Sequence, residues 1–190
     1  MSAQNVKTLG AFRGNGLWKH YNLSLTCLTL TVAVWDWLRK QSPHLNVAMK
    51  YLVDLNYTLV GNSPKWGEPR ITPFSRQIEQ ETYRQWLVDF LRDKYAILIT
   101  ARPQKYREAT LERIKLLTGW QPQEVYFAEI SATPPDIKED LLLRYIFPKH
   151  GRNGKDYFGI ESNPKTRAMY LCYNIESLRA EDFKTKMICR

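Results

Sequence analysis

Cysteine and histidine are scarce in this chain of 190 residues, three of each, and His20, His44 and His150 stand near neither a cysteine nor one another. That leaves no ligand spacing for a zinc centre. Cys27, Cys172 and Cys189 make no paired framework; they suit a reducing compartment, and so a cytoplasmic protein, as small packed apolar groups rather than disulfides. The chain also lacks a membrane-spanning run. The apolar stretch LSLTCLTLTVAVWDWL, from Leu23 to Leu38, is shorter than the roughly 20 residues a span needs and is broken by Asp36, so no stable membrane insertion is expected. Internal repeats and low-complexity tracts are absent too. Acidic residues are in deficit, 19 against 28 basic, for a net charge of +9. A basic surface concentrates anions and favours phosphorylated or nucleic-acid partners, although a basic surface without a specific partner fits equally well. The 44% hydrophobic and 25% charged content is that of a globular domain.

The charge is uneven. Residues 1–48 carry Lys7, Arg13, Lys19, Arg39 and Lys40 against Asp36 alone, a net +4 of the total +9. They read as an N-terminal extension of uncertain structure: an added strand or helix, a poorly ordered segment, or a signal-like stretch after Lys19 and His20 with no A-x-A cleavage site behind it. Residues 49–190 read as one domain. There, four-residue apolar runs alternate with helical patterns: KYLV (50–53), AILI (96–99), VYFA (125–128) and YFGI (157–160). The helical stretches are expected from Thr72-Pro73 through about Tyr95, from Lys105 to Leu117 with a stop at Gly119, from Thr133-Pro134 to near Pro148, and from Asn163-Pro164 to about Leu171. Gln121–Glu124 and His150–Lys155 read as surface turns. The alternation implies right-handed βαβ units around a mostly parallel sheet in a three-layer α/β sandwich.

Ligands of such a sheet bind beyond the carboxyl ends of its strands. Asp54 follows the first run, Thr100 the second and Glu161 the fourth, while Lys138 lies on the helix before the fourth. A carboxylate nucleophile, a hydroxyl, a lysine and a second acid form a coherent set for handling a phosphoryl group. Taken singly, each has an ordinary reading: an acid after a strand, a capping threonine, a solvated lysine, a turn glutamate.

These segments resemble the haloacid dehalogenase (HAD) superfamily. MKYLVDLNYTLV resembles its first motif, a strand followed by D-x-D-x-T; LITARP resembles the second; PPDIKEDLLLRYIF carries the lysine of the third; YFGIESNPKTRAMY resembles the acidic fourth. The likeness spans about Met49 to Ile175. Within the superfamily it is strongest to the 3′-phosphatase domain of polynucleotide kinase, whose S-G-R is paralleled by Thr100-Ala101-Arg102. The resemblance implies a Mg²⁺-dependent phosphohydrolase in which Asp54 forms an aspartyl-phosphate. By the same resemblance, Asp54, the backbone carbonyl of Asn56 and Glu161 hold Mg²⁺, Thr100 and Lys138 stabilise the phosphoryl group, and Arg102 and Lys65 contact substrate phosphate.

Two departures bear on activity. Asn56 replaces the second aspartate, the general acid in phosphatases of this kind; an amide gives no proton, and such help contributes about 10²–10⁴-fold. Glu161-Ser162 replaces a pair of aspartates. Only about 14 residues separate Val60 from Ser75, too few for a large cap domain, and an open site favours a large substrate such as a nucleic-acid end. Trp66, in the loop beside Lys65, reads as a base-stacking residue or a half-packed loop side chain. Two functions are therefore expected as alternatives: a phosphohydrolase acting on a nucleotide or polynucleotide terminal phosphate, or a catalytically impaired HAD-fold protein that binds phosphate or nucleic acid without turnover. The sequence does not set an oligomeric state.

Overall fold

A computed structural model describes residues 48–64, 68–69 and 71–189. The expected extension, all but its last residue, lies outside the described residues, as do Cys27, Lys65 and Trp66. The five strands are β1 (Lys50–Val53), β2 (Tyr95–Pro103), β3 (Glu124–Ala128), β4 (Tyr157–Ile160) and β5 (Glu176–Leu178). They form one sheet in the order β3-β2-β1-β4-β5, with every pairing parallel. The expected "mostly parallel" sheet is thus wholly parallel, with a short fifth strand that polar ESL did not announce.

Parallel strands are buried on both faces, which is why these runs are continuously apolar. Successive residues serve opposite cores. Val53, Leu98 and Ile160 face one side with Leu87, Val88 and Leu91 of α2 (Gln85–Leu91), Ile114 of α3 (Arg107–Thr118) and Phe183 of α7 (Ala180–Ile188). Leu52, Ile97 and Ile99 face the other side. There they meet Ile137 and Leu141 of α4 (Pro134–Leu141), Phe147 of α5 (Phe147–His150) and Tyr170 of α6 (Pro164–Cys172). Each fully buried Leu, Ile or Val contributes about 1.5–3 kcal/mol of transfer free energy. This is the three-layer α/β sandwich. Among the described residues no helix is long and apolar enough to cross a membrane.

Several local expectations are corrected. The single helix expected from Thr72 to about Tyr95 is two, α1 (Phe74–Gln80) and α2. The break at 81–84 exists because those residues pair back onto 59–61: Gly61 N donates to Thr82 O at 2.8 Å and Arg84 N to Leu59 O at 2.9 Å. Asn62 clamps the same break, giving Nδ2 to Gln80 O (2.7 Å) and accepting Thr82 N (2.8 Å). Pro73, extended at φ −71 and ψ 170, is the N-cap of α1 rather than its first helical residue. The helix expected to end near Pro148 opens after α4 into a π-type turn, Leu142–Ile146, before α5. Pro148 follows this turn, where the Phe147 N–H reaches back to Leu142 O, so the ladder a proline would interrupt is already irregular there.

Cys172 and Cys189 are free and exposed rather than packed. Glu124 belongs to β3, not to a turn. It is a nearly buried hub that accepts from the Tyr95 hydroxyl, Tyr126 Oη (2.6 Å) and Lys149 Nζ (3.0 Å), with His150 Nε2 at 2.7 Å.

The strand order fixes where a site belongs. The chain moves from β1 outward to β2 and β3, then returns to place β4 on the other side of β1. The carboxyl ends of β1 and β4 therefore flank the topological switch point, where the neighbouring loops part and leave a crevice.

Candidate active site

Asp54 is the residue after β1. Its N–H continues the ladder to Ile160 O at 3.0 Å, so its backbone is fixed by the sheet. Its carboxylate is nearly buried and fully engaged. Oδ1 accepts from Lys138 Nζ at 2.5 Å, and Oδ2 accepts from Thr58 Oγ1 at 3.0 Å and Ser162 Oγ at 3.3 Å. Thr58 is brought back by the wide turn 55–59, in which Leu59 N reaches Asp54 O (3.2 Å) and Val60 N reaches Leu55 O (2.9 Å). The same Thr58 Oγ1 accepts Ser162 N at 3.1 Å, stitching the β1 turn to the β4 turn.

Lys138 projects from α4 between two acids. Its Nζ lies 2.5 Å from Asp54 Oδ1 and 2.5 Å from Glu161 Oε2, and the lysine is 2% exposed. Burial opposes its charge, but the two carboxylates outweigh burial and hold its pKa above the ordinary lysine value. One ammonium does not neutralise two buried acids. Burial first, then the charge on Asp54, push Glu161 up to about 7 despite Lys138. Glu161 Oε1 accepts Asn163 N at 2.9 Å, and Arg167 Nη1 donates to Glu161 O (3.0 Å) and Ser162 O (2.8 Å), holding this turn in place.

A second buried network stands behind Asn56. Arg102 is 1% exposed. It is ion-paired with Glu81 through both terminal nitrogens, and it donates to Thr110 Oγ1 (2.9 Å) and Asn56 Oδ1 (2.9 Å). Its guanidinium lies 5.7 Å from the Phe74 ring centroid. Gln77 Nε2 reaches both Glu81 Oε1 (3.2 Å) and Asn56 Oδ1 (3.5 Å). Because a guanidinium only donates, Asn56 must turn its oxygen toward Arg102 and its NH₂ away. Thr100 lies at the same rim, where its Oγ1 accepts Arg102 N at 3.1 Å.

Of the residues expected at a site, Asp54, Lys138 and Glu161 thus meet directly. Asn56 joins them through its carbonyl, which accepts from Ser162 Oγ at 3.3 Å. Arg102 stands beside Asn56, with its head committed to Glu81, and Thr100 lies two residues before it; both are inside β2 rather than after it. Lys65 lies outside the described residues. Sequence reasoning passed over the Thr58 hydroxyl and Glu81, and named Ser162 only as the replacement for an aspartate; the threonine of D-x-D-x-T was the available signal for the first, whereas Glu81 had none.

Among the described residues no group of three or more His, Cys, Asp or Glu side chains is placed to hold a metal. A hard cation would draw instead on mixed oxygens. Asp54 Oδ2 and the Asn56 carbonyl, each 3.3 Å from Ser162 Oγ, form such a set, in keeping with the one or two carboxylates and retained waters of Mg²⁺ sites. Both Glu161 oxygens are already taken by Lys138 and Asn163. A cavity of about 230 Å³ at the outer edge of β3, lined by Gln104, Arg107, Tyr126 and Tyr145 among others, does not include these residues.

No protein-family model and no curated protein matches the chain. Among solved structures, a chain of the "Structure of the Pnkp1/Rnl/Hen1 RNA repair complex" is similar in fold, with a TM-score of 0.54 and 14% sequence identity. The match covers 85% of this chain and 57% of that one.

Proposed function

We propose that this chain is a HAD-type phosphohydrolase that uses Asp54 as nucleophile on the terminal phosphate of a nucleotide or polynucleotide. The observation that carries the reading is Lys138 Nζ, 2.5 Å from both Asp54 and Glu161 at the switch point of the sheet. A buried cation over a carboxylate is suited to receive a phosphoryl dianion beside its nucleophile, since charge stabilisation is strongest where water is excluded. The net charge of +9 and the fold likeness to a member of an RNA repair complex support an anionic, nucleic-acid-related substrate.

With Oδ2 tied to Thr58 and Ser162, Oδ1 is the attacking oxygen. Lys138 exchanges its bond to Oδ1 for one to the incoming phosphoryl group, assisted by Thr100. The Asp54 O–P bond forms as the bond from phosphorus to the leaving oxygen breaks. Water then attacks phosphorus, the Asp54 O–P bond breaks, and the water proton leaves on the phosphate. Asp54 Oδ2, the Asn56 carbonyl and Ser162 Oγ would hold Mg²⁺, which when bound supplies charge neutralisation to the phosphoryl group. Glu161 keeps Lys138 charged and aimed.

A turnover screen with Mg²⁺ against nucleotides and 3′- and 5′-phosphorylated oligonucleotides tests the proposal. Hydrolysis that disappears in Asp54→Asn and on chelation supports it; metal-insensitive hydrolysis, or hydrolysis that survives Asp54→Asn, contradicts it. Asn56 favours the second reading, a binding protein without turnover, which requires oligonucleotide or phosphate binding that persists in Asp54→Asn.

A further inference from the structure

A phosphatase that releases a sugar or other alkyl alcohol must protonate a poor leaving oxygen, so it needs an acid within reach. The side chain two residues past Asp54, whose backbone carbonyl already meets Ser162 at the site, is Asn56. Its oxygen is directed at Arg102 (2.9 Å) and its other end is an NH₂, which donates hydrogen bonds but no proton.

The remaining acids near the site are committed as acceptors. Glu161 is 1% exposed, with Oε2 against Lys138 and Oε1 against Asn163 N, so a proton it carries is held inside the fold and is not presented to a leaving group. Glu81 receives Arg102 on both oxygens, Gln77 on Oε1 and Tyr83 Oη on Oε2 (3.3 Å). Lys138 is wedged between two carboxylates, which makes it a reluctant proton donor, and the Thr58 and Ser162 hydroxyls already donate to Asp54 Oδ2. Among the described residues, no carboxylic acid at this rim is free to deliver a proton.

We infer that the site acts on substrates whose leaving group departs as a stable anion, namely phosphoric anhydrides such as the terminal phosphate of a nucleoside triphosphate, and acyl or aryl phosphates, in preference to alkyl phosphate esters. The inference rests on the hydrolase reading above and narrows its substrate. The atoms balance without an acid. Asp54 displaces the leaving group as an anion, the aspartyl-phosphate forms, and water cleaves it to free Asp54 and dihydrogen phosphate. The amide also offers no base to that water, so the second step is unassisted as well and the aspartyl-phosphate builds up during turnover.

The experiment compares kcat/KM of the full chain with Mg²⁺ on ATP, p-nitrophenyl phosphate, glycerol phosphate and a 3′-phosphorylated oligonucleotide. The first two are expected to exceed the last two by at least about 10²-fold, the scale of a missing general acid. Acid quenching during ATP turnover is expected to trap a phosphorylated chain. Alkyl esters hydrolysed within about tenfold of the anhydride overturn this inference while leaving the hydrolase reading intact. No turnover of any of the four overturns both.

Discussion

Lys138→Met keeps the length of the side chain and removes its charge, leaving Asp54 and Glu161 facing each other in a buried site. Both contacts are 2.5 Å, and all three residues are at least nine-tenths buried. Removing one member of a buried ionic group costs about 3–5 kcal/mol, because the partners stay desolvated without compensation. At an m-value of about 2 kcal/mol/M, that is a fall of roughly 2 M in the urea midpoint.

The cost depends on pH. Glu161, raised from 4.5 to about 7, holds a proton in the fold over a range where the unfolded chain has released it. Its contribution is fully present below pH 4.5 and is lost as pH rises through about 7. Without Lys138 its folded pKa rises further, so the decline continues to higher pH, and the gap between wild type and variant is wider in alkali than in acid. Urea unfolding followed by tryptophan fluorescence, with chelator present, at about pH 5 and about pH 8 brackets that window. Adding Glu161→Gln to Lys138→Met removes the like charge and is expected to recover part of the loss. A Lys138→Met variant that unfolds at the wild-type midpoint at both pH values would refute the assignment of Lys138 as the shared partner of two buried acids.

Three other perturbations test the surrounding structure. Tyr57 sits at φ +62 and is 45% exposed, its N–H held by Ser63 Oγ (2.7 Å) and its carbonyl by Arg84 (3.2 Å). Tyr57→Gly is therefore expected to raise stability by about 1 kcal/mol, measured as a higher denaturation midpoint; an unchanged or lower midpoint contradicts strain at this turn. Glu124 is opposed by burial, but hydrogen bonds from Tyr126, Tyr95, Lys149 and His150 bring its pKa down to about 2. Its contribution is present above about pH 4.5 and lost as pH falls toward 2; Glu124→Gln should flatten the acid limb of the stability profile between those values. Gly154 packs against the chain at 173–174, where an added Cβ would lie 2.0 Å from Tyr173 O. Gly154→Ala should cost at least about 1–3 kcal/mol of stability, and a neutral result in thermal unfolding would show that this backbone approach is looser than described.

The sheet was legible because a buried parallel strand has little freedom of composition: KYLV, AILI, VYFA and YFGI mark β1 to β4 with one polar residue among them, Lys50. Asp54 and Glu161, which follow β1 and β4, could be placed at the carboxyl rim from order alone; Thr100 follows the AILI run but lies inside β2, which continues to Pro103, and Lys138 was placed by its likeness to the lysine of the third motif. What failed was decided by distant partners. Ile78 and Trp86 keep one helical phase, so nothing local reveals that 82–84 leave the helix to pair with 59–61. Glu81 reads as a solvated helix acid until Arg102, 21 residues on, becomes its partner. β5 and α7 are short or heavily charged, and they fold because Leu178, Ala180 and Phe183 find the apolar face left by β4. Arg102 was expected to contact substrate phosphate; the Glu81 carboxylate and the Phe74 ring let it be buried.

The most direct measurement is the site of phosphorylation itself. The chain is incubated with Mg²⁺ and ATP, quenched in acid, and digested for mass spectrometry of the peptide carrying Asp54. The expected result is a single added phosphoryl group on Asp54, removed by hydroxylamine and absent from Asp54→Asn. Phosphate release with no label on Asp54, or label that persists in Asp54→Asn, would contradict a covalent role for this carboxylate.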